Sequence, residues 1–425
     1  MIFDVPFCRL SLILLICLTL LPDKWSTTSR AADKEQEEKK TPFNSAWEER
    51  RREAIGHWRQ ESSQQREDWS HVKEMISEKW RDLEESGRIV WVEYSEEGDV
   101  KGRVDFEKGE MSFEALVPEG VGNGRERAER KIKEMASSMF SRETSAGHKI
   151  LKDQLGSRQG DLSISEGMDN REDIEIIPHP KIDPNPILSP DGVKRRRYRA
   201  EMHLAPDHVP IRALQYLPIV LKSAQRFRLQ PELVMAVIHT ESMFNPMAVS
   251  PCGALGIMQI LPEQAGREAY GFLCGTQWTP DRTYLFDPEK NIELGCAYLH
   301  LLKYRYFGDE VEPRKNLYLS LCAYNWGPKA LRDKVIEKFP MSEMRHDEIL
   351  EILKKEAPQE TATYLEKVTG RITLYQDFLK TGYFDPDVKQ VRMPGADLGS
   401  SGELPVVSRT GAKNDERPWT ESERW

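Results

Sequence analysis

Glu241-Ser242 stands at the end of an apolar-faced helical stretch, and Phe244-Asn245-Pro246 follows within one turn. The glycine-relieved run Gly253-Ala254-Leu255-Gly256-Ile257-Met258-Gln259 comes next, and Ala323-Tyr324-Asn325 lies far downstream. Glu241 continues the face set by Val234 and Val237, so its carboxyl is expected to turn toward a core. Asn245-Pro246 is expected to stop the helix just beyond, which puts the carboxyl at the negative end of the helix dipole. Burial and dipole both disfavour ionisation. A raised pKa follows, as a general acid for glycosidic cleavage requires.

The other residues fit a sugar site around that acid. Gly253 and Gly256 are expected to remove side chains where a polysaccharide approaches the backbone, and Gln259 offers an amide to a sugar substituent. Tyr324 follows Leu317 and Leu321 at helical spacing, so its ring should face inward and its hydroxyl must find a partner. Asn325 is suited to ending that helix. Taken singly, each has a plainer reading: a solvated helix glutamate, ordinary glycine packing, a helix stop. Together they form a constellation with one acid and no second carboxylate close by in sequence. His239-Thr240-Glu241 with Pro251-Cys252 imitates part of the zinc deaminase signature, but its second cysteine would fall on Leu255. No metal set and no cofactor are expected.

The chain has 425 residues, long enough for two or three domains. Its net charge of −9 gives no general attraction to nucleic acid or anionic membrane. The dense basic run Lys194-Arg195-Arg196-Arg197 sits beside an expected strand and reads as a solvated edge. Leu10–Leu21 is an apolar run of 12 residues, short for a membrane span but suited to a signal h-region, with Ser29-Arg30-Ala31 as a cleavage site. Residues 1–31 are therefore expected to be a signal peptide or amino-terminal anchor. The protein is read as exported and periplasmic, with membrane attachment through the amino terminus as an option. Lipidation at Cys17 is disfavoured because Ile16 precedes it. Export permits disulfides. Of the four downstream cysteines, Cys252–Cys274 is the favoured pair, and four unpaired buried thiols are the alternative.

Trp47, Trp58, Trp69 and Trp80 recur every eleven residues, which places four indoles on one stripe of a long helical arm over 42–86. That stripe is expected to dock on the following domain, or else to serve an envelope protein partner. Residues 87–204 read as an α+β domain. The short β-prone runs Ile89–Tyr94, Val100–Phe106 and Met111–Val117 are joined at Gly98-Asp99 and Lys108-Gly109 as an antiparallel meander, and a helix follows from about Arg125 to Leu155. From Ala205 the pattern is helical to about residue 380, with Pro231 at a first-turn position. Residues 381–425 read as a disordered tail.

These residues resemble a known family. The stretches Glu241–Pro246, Ala254–Gln259, Leu285-Phe286-Asp287-Pro288, Asn291-Ile292, Ala323–Asn325, and Glu360-Thr361 with Tyr364 are similar to those of lytic murein transglycosylases. The resemblance implies an all-α, lysozyme-like catalytic domain over 205–380, acting on peptidoglycan glycan strands. It implies that Glu241 protonates the glycosidic oxygen, that the substrate acetamido group assists, and that Glu241 then deprotonates the muramyl 6-hydroxyl. It further implies that Gln259, Tyr324 and Tyr364 lie beside the sugar, that Ser242 and Asn325 support the site, and that Glu360 lines the cleft. Trp326 and Ala362 depart from the family pattern, which has a glycine and an arginine there. Two other readings stay open: a hydrolytic muramidase using the same glutamate, and a non-catalytic envelope scaffold.

Overall fold

The computed structural model describes residues 72–143, 149–151, 154, 177–276, 278–308 and 311–381. The signal segment, the amino-terminal part of the arm with Trp47, Trp58 and Trp69, and the tail beyond 381 lie outside the described residues. So does most of the stretch between Phe140 and the prolines. Within one compact unit, a sheet half and a helical half each build a hydrophobic core.

The sheet half begins with helix α1 (72–79), then strands β1 (Val90–Tyr94), β2 (Val100–Asp105) and β3 (Glu110–Pro118). Helix α2 (Gly124–Phe140) follows, and β4 (Lys181–Ile182), β5 (Ile187–Leu188) and β6 (Lys194–His203) complete the sheet. Its order is β1-β2-β3-β6-β4, antiparallel throughout, with β5 also pairing β6. Gly98 and Gly109 turn the meander at positive φ, where a side chain is disfavoured. Alternation gives the strands two unlike faces. Trp91, Val100, Val104, Phe113 and Ala115 face α2, whose Ile132, Ala136 and Met139 cover them. The opposite face holds Leu116 with Ile76 and Trp80, the indole N–H donating to the Gly98 carbonyl at 2.8 Å.

That second face corrects the reading of the basic run. Lys194 to Arg199 lies inside β6 rather than beside a strand, and its register puts Arg197 opposite Leu116 and Arg199 opposite Glu114. Arg195 is buried and forked onto Asp191 at 2.7 and 2.6 Å. Arg196 pairs with Glu119, and Arg197 and Arg199 lie 3.6 and 3.7 Å from Glu114. The arm also differs from the expected helix: its described part is helical only over 72–79, and residues 80–86 run irregularly.

The helical half contains α3 (His208–Arg226), α4 (Pro231–Ser242), α5 (Arg267–Cys274), α6 (Pro288–His300), α7 (Pro313–Trp326), α8 (His346–Glu356) and α9 (Gln359–Thr381). π-helical turns at Pro262–Gly266, Leu301–Tyr306 and Arg332–Ile336 extend or join them. Prolines open α4, α6 and α7, where the missing N–H costs nothing. α4 is central, packed between α9 and α3, and almost wholly buried. No described helix is long and apolar enough to cross a membrane.

Arg212 of α3 joins the halves. Fully buried, it donates to the Phe106 carbonyl of the sheet half at 2.8 Å and to the Met243 carbonyl beyond α4 at 3.1 Å. It also meets Gln154 and His208, each at 2.9 Å. Burial lowers its pKa to about 9 and that of His208 to about 4. The histidine is therefore neutral and accepts the guanidinium's hydrogen bond.

Candidate active site

Glu241 occupies the last turn of α4 and is 5% exposed. The helix stops earlier than Asn245-Pro246 would require. Met243 and Phe244 both take left-handed φ values, 53° and 62°, each costing about 1–2 kcal/mol for a non-glycine residue. Long-range contacts hold them there. The Met243 carbonyl is fixed by Arg212, and the buried Phe244 ring stacks on Tyr216 and meets Tyr375 edge-on.

The four carbonyls at the end of α4 all find partners, as a buried helix end demands. His239 and Ser242 accept from the backbone N–H groups of Met243 and Asn245. The middle two are capped from the other half of the molecule. Arg88 Nε donates to the Glu241 carbonyl and its Nη2 to the Thr240 carbonyl, both at 2.9 Å. The same Nη2 lies 3.3 Å from Glu241 Oε2, and Nη1 lies 3.8 Å from Glu360 Oε1. Sequence reasoning missed Arg88 because 153 residues separate it from Glu241.

Burial raises the Glu241 carboxyl from the ordinary value to about 7, against the opposing pull of the Arg88 cation. The Tyr364 hydroxyl also favours the ionised form from its place beside the carboxyl, yet it closes no well-formed hydrogen bond. Glu360 adds a smaller upward push. At neutral pH both protonation states are populated. One group can therefore donate a proton and later accept one.

The residues 255–260 form a tight turn rather than helix packing. Leu255 and Ile260 exchange two backbone hydrogen bonds, and Gly256 and Gln259 both have positive φ. Three side chains grip the turn. Ser242 Oγ donates to the Ile257 carbonyl at 2.7 Å, and the Tyr324 hydroxyl donates to the Met258 carbonyl at 2.8 Å. Asn291 spans the turn with its amide, accepting from Met258 N–H and donating to the Leu255 carbonyl. It appeared in the sequence only as part of a motif, with no role assigned.

Several expectations change in consequence. Gly256 does not clear space for a ligand: a Cβ there would collide with the Leu285 carbonyl and the Asn291 amide. Gly253 does face open space. Ser242 is wholly buried with its hydroxyl spent on backbone carbonyls, so it supports the turn and offers nothing to a sugar. Asn325 ties α7 to α9 by accepting from the Thr361 hydroxyl at 2.8 Å. Glu360 is exposed at the start of α9, one turn from Tyr364. Gln259 donates to the Gly256 carbonyl, which leaves its buried Oε1 without a partner and available to a donor.

The favoured Cys252–Cys274 disulfide is not formed. Both are free and exposed, Cys252 in the turn that closes on Ser250 and Cys274 at the end of α5, where its thiol meets Tyr270. Cys296 and Cys322 are free thiols buried in the helical core, with pKa values pushed up by burial. The described residues contain no cluster of metal-ligating side chains. A separate depression along α2 is lined by Glu126, Arg130, Lys133 and their neighbours on one charged helix face. It gathers none of the groups just described.

Residues 218–342 match the family model of the transglycosylase SLT domain. The span takes in Glu241, Gln259 and Tyr324 and ends before Glu360 and Tyr364. Among curated proteins, membrane-bound lytic murein transglycosylase C of Pectobacterium atrosepticum is 37% identical over 177 residues, 40% of this chain and 49% of its own length. The protein of the same name from Serratia proteamaculans is 41% identical over 130 residues, 31% and 36% of the two chains. The chain thus spans about half the length or less of these relatives. Among solved structures, the 70-kDa soluble lytic transglycosylase of Escherichia coli is 25% identical, covering 41% of this chain and 26% of that one, with a TM-score of 0.32. The match to the transglycosylase SLT domain lies within the helical half of the chain.

Proposed function

We propose that this protein is a peptidoglycan lytic transglycosylase, cleaving the β-1,4 bond between N-acetylmuramic acid and N-acetylglucosamine and leaving 1,6-anhydromuramyl ends. The observation that carries the reading is the Glu241 carboxyl, buried at the end of α4 and poised at about 7. The SLT match over the same residues and the murein transglycosylase names of the relatives support it. Glu241 protonates the leaving oxygen, and the substrate's acetamido oxygen stabilises the positive anomeric carbon, in place of an enzymic nucleophile. The carboxylate then takes the proton of the muramyl 6-hydroxyl as that oxygen closes on the anomeric carbon. Water is not consumed. Gln259 Oε1 and the Tyr364 hydroxyl are the buried polar atoms left for the sugar to satisfy. The names of the relatives favour an envelope location, with attachment through the amino-terminal segment as part of the proposal.

One observation favours hydrolysis as a second reading. Glu360 shares the Arg88 guanidinium with Glu241, so a second carboxylate stands near the acid after all. Digesting purified sacculi and weighing the products separates the readings. The expected result is anhydro-ended muropeptides, lost in Glu241→Gln by about 10²–10⁴-fold in rate and retained in Glu360→Gln. Reducing ends that vanish in Glu360→Gln would establish the muramidase instead. Absence of any Glu241-dependent product would overturn both.

A further inference from the structure

We propose that Arg88 is a positioning residue of this site, supplied by the sheet half to hold the last turn of α4 and the carboxylate form of Glu241. The backbone around it is fixed before the side chain reaches across. Gly87 N–H donates to the Val90 carbonyl at 2.8 Å, and the Gly87 carbonyl accepts from Val249 at 3.1 Å. The Arg88 carbonyl accepts from the Asn245 amide at 3.2 Å, and the Ile89 carbonyl accepts from Phe106 N–H at 2.9 Å. Residues 87–89 are thus clamped between the meander and the loop that follows the catalytic helix.

The side chain makes use of the shape of a guanidinium. One planar group serves two carbonyls and approaches a carboxylate oxygen, which the single ammonium of a lysine cannot do in the same geometry. A cap of the carbonyls alone would need no charge near Oε2. Here the charge lies 3.3 Å from a carboxylate whose side chain is 7% exposed. On the proposed reaction, on which this inference rests, Glu241 becomes anionic once its proton has gone to the leaving oxygen. Arg88 is the cation that meets it at that moment.

The groups facing the carboxyl are few. Arg88 comes from the sheet half, Tyr364 and Glu360 from α9, and Tyr324 from α7. On the far side of α4, Arg371 donates to the Thr240 hydroxyl at 2.8 Å, and His239, its pKa lowered to about 3 by burial, meets the Tyr375 hydroxyl at 3.0 Å. Arg88 is therefore the one cation among the described residues that forms an ion pair with Glu241.

The test is a carbon-13 carboxyl titration of the full chain, with the Glu241 resonance identified by its loss in Glu241→Gln. In Arg88→Gln the Glu241 midpoint should move upward by about one pH unit, the usual effect of losing an adjacent opposite charge. The pH at which sacculus cleavage is half lost should move with it. An unmoved midpoint with only a lower melting temperature would reduce Arg88 to a helix cap and overturn the proposal. Should Arg88→Gln not fold, Arg88→Met decides. It keeps an unbranched stem and removes the charge, so the midpoint moves upward, and an unmoved one overturns the proposal. If the unsubstituted protein cleaves no sacculi, the proposed reaction fails, while the titration still answers for Arg88.

Discussion

Two glutamates of this protein are buried to almost the same degree and differ in company. Glu114, in the middle of the sheet, is 6% exposed and has Lys101, Arg197 and Arg199 within 3.6–3.8 Å. Glu241, at the end of α4, is 5% exposed and has one cation, Arg88, which also donates to two backbone carbonyls. The sheet offsets the cost of a buried carboxylate with several partners. The helical half leaves its carboxylate short of partners, so burial dominates and the proton is held near neutrality. Burial alone marks neither as catalytic. The shortage of counter-charge is what separates the Glu241 site from the structural network around Glu114.

The largest expected contrast comes from removing the charge at each position. Glu241→Gln should cut sacculus cleavage by about 10²–10⁴-fold while the protein stays folded. Glu114→Gln should leave the chemistry in place and lower stability, because three cations lose a partner. Arg197 and Arg199 are partly exposed and solvent screens them, so the loss should be about 1–3 kcal/mol rather than the full cost of a broken buried pair. Parallel denaturant titrations and product analysis read both effects. Loss of cleavage in Glu114→Gln at unchanged stability would break the comparison.

A smaller effect sharpens it through pH. The Glu241 pKa is raised by folding from 4.5 to about 7. The stability it contributes is therefore complete below pH 4.5 and is lost as pH rises through 7. Above that, the folded protein carries an unfavourable charge worth up to about 3 kcal/mol at 1.36 kcal/mol per pH unit. Glu241→Gln should accordingly melt higher than the unsubstituted protein at pH 8, and the gap should close toward pH 4.5. A gap independent of pH would mean that the gain comes from packing rather than from the carboxyl's charge.

How much of this was legible in the sequence follows from the range of each cause. The meander and its turns were readable because alternation and the Gly98 and Gly109 turns act between neighbours. The face of α4 carrying Glu241 was readable from a spacing of four residues. The end of that helix was not, since Met243 and Phe244 turn left-handed under contacts with Arg212, Tyr216 and Tyr375 from other elements. Gly256 was misread for the same reason: its obstacle, Leu285, is distant in sequence. The basic run of β6 looked like a free edge because Glu114 becomes a partner of Arg197 and Arg199 only when the strands pair.

The smallest change tests the least-satisfied contact at Glu241. The Tyr364 hydroxyl is buried and lacks a well-formed hydrogen bond, yet it lies close enough to favour the ionised carboxyl. Removing a buried donor that has no full partner releases an unmet desolvation cost, so Tyr364→Phe should raise stability by about 1 kcal/mol. It should still raise the Glu241 midpoint, by less than Arg88→Gln does, since a partial dipole replaces a full charge as the group lost. The same carboxyl titration measures both. If Tyr364→Phe moved the midpoint as far as Arg88→Gln, the hydroxyl rather than the guanidinium would be the main counterweight to burial, and the contrast between Glu241 and Glu114 would rest on hydrogen bonding instead of charge.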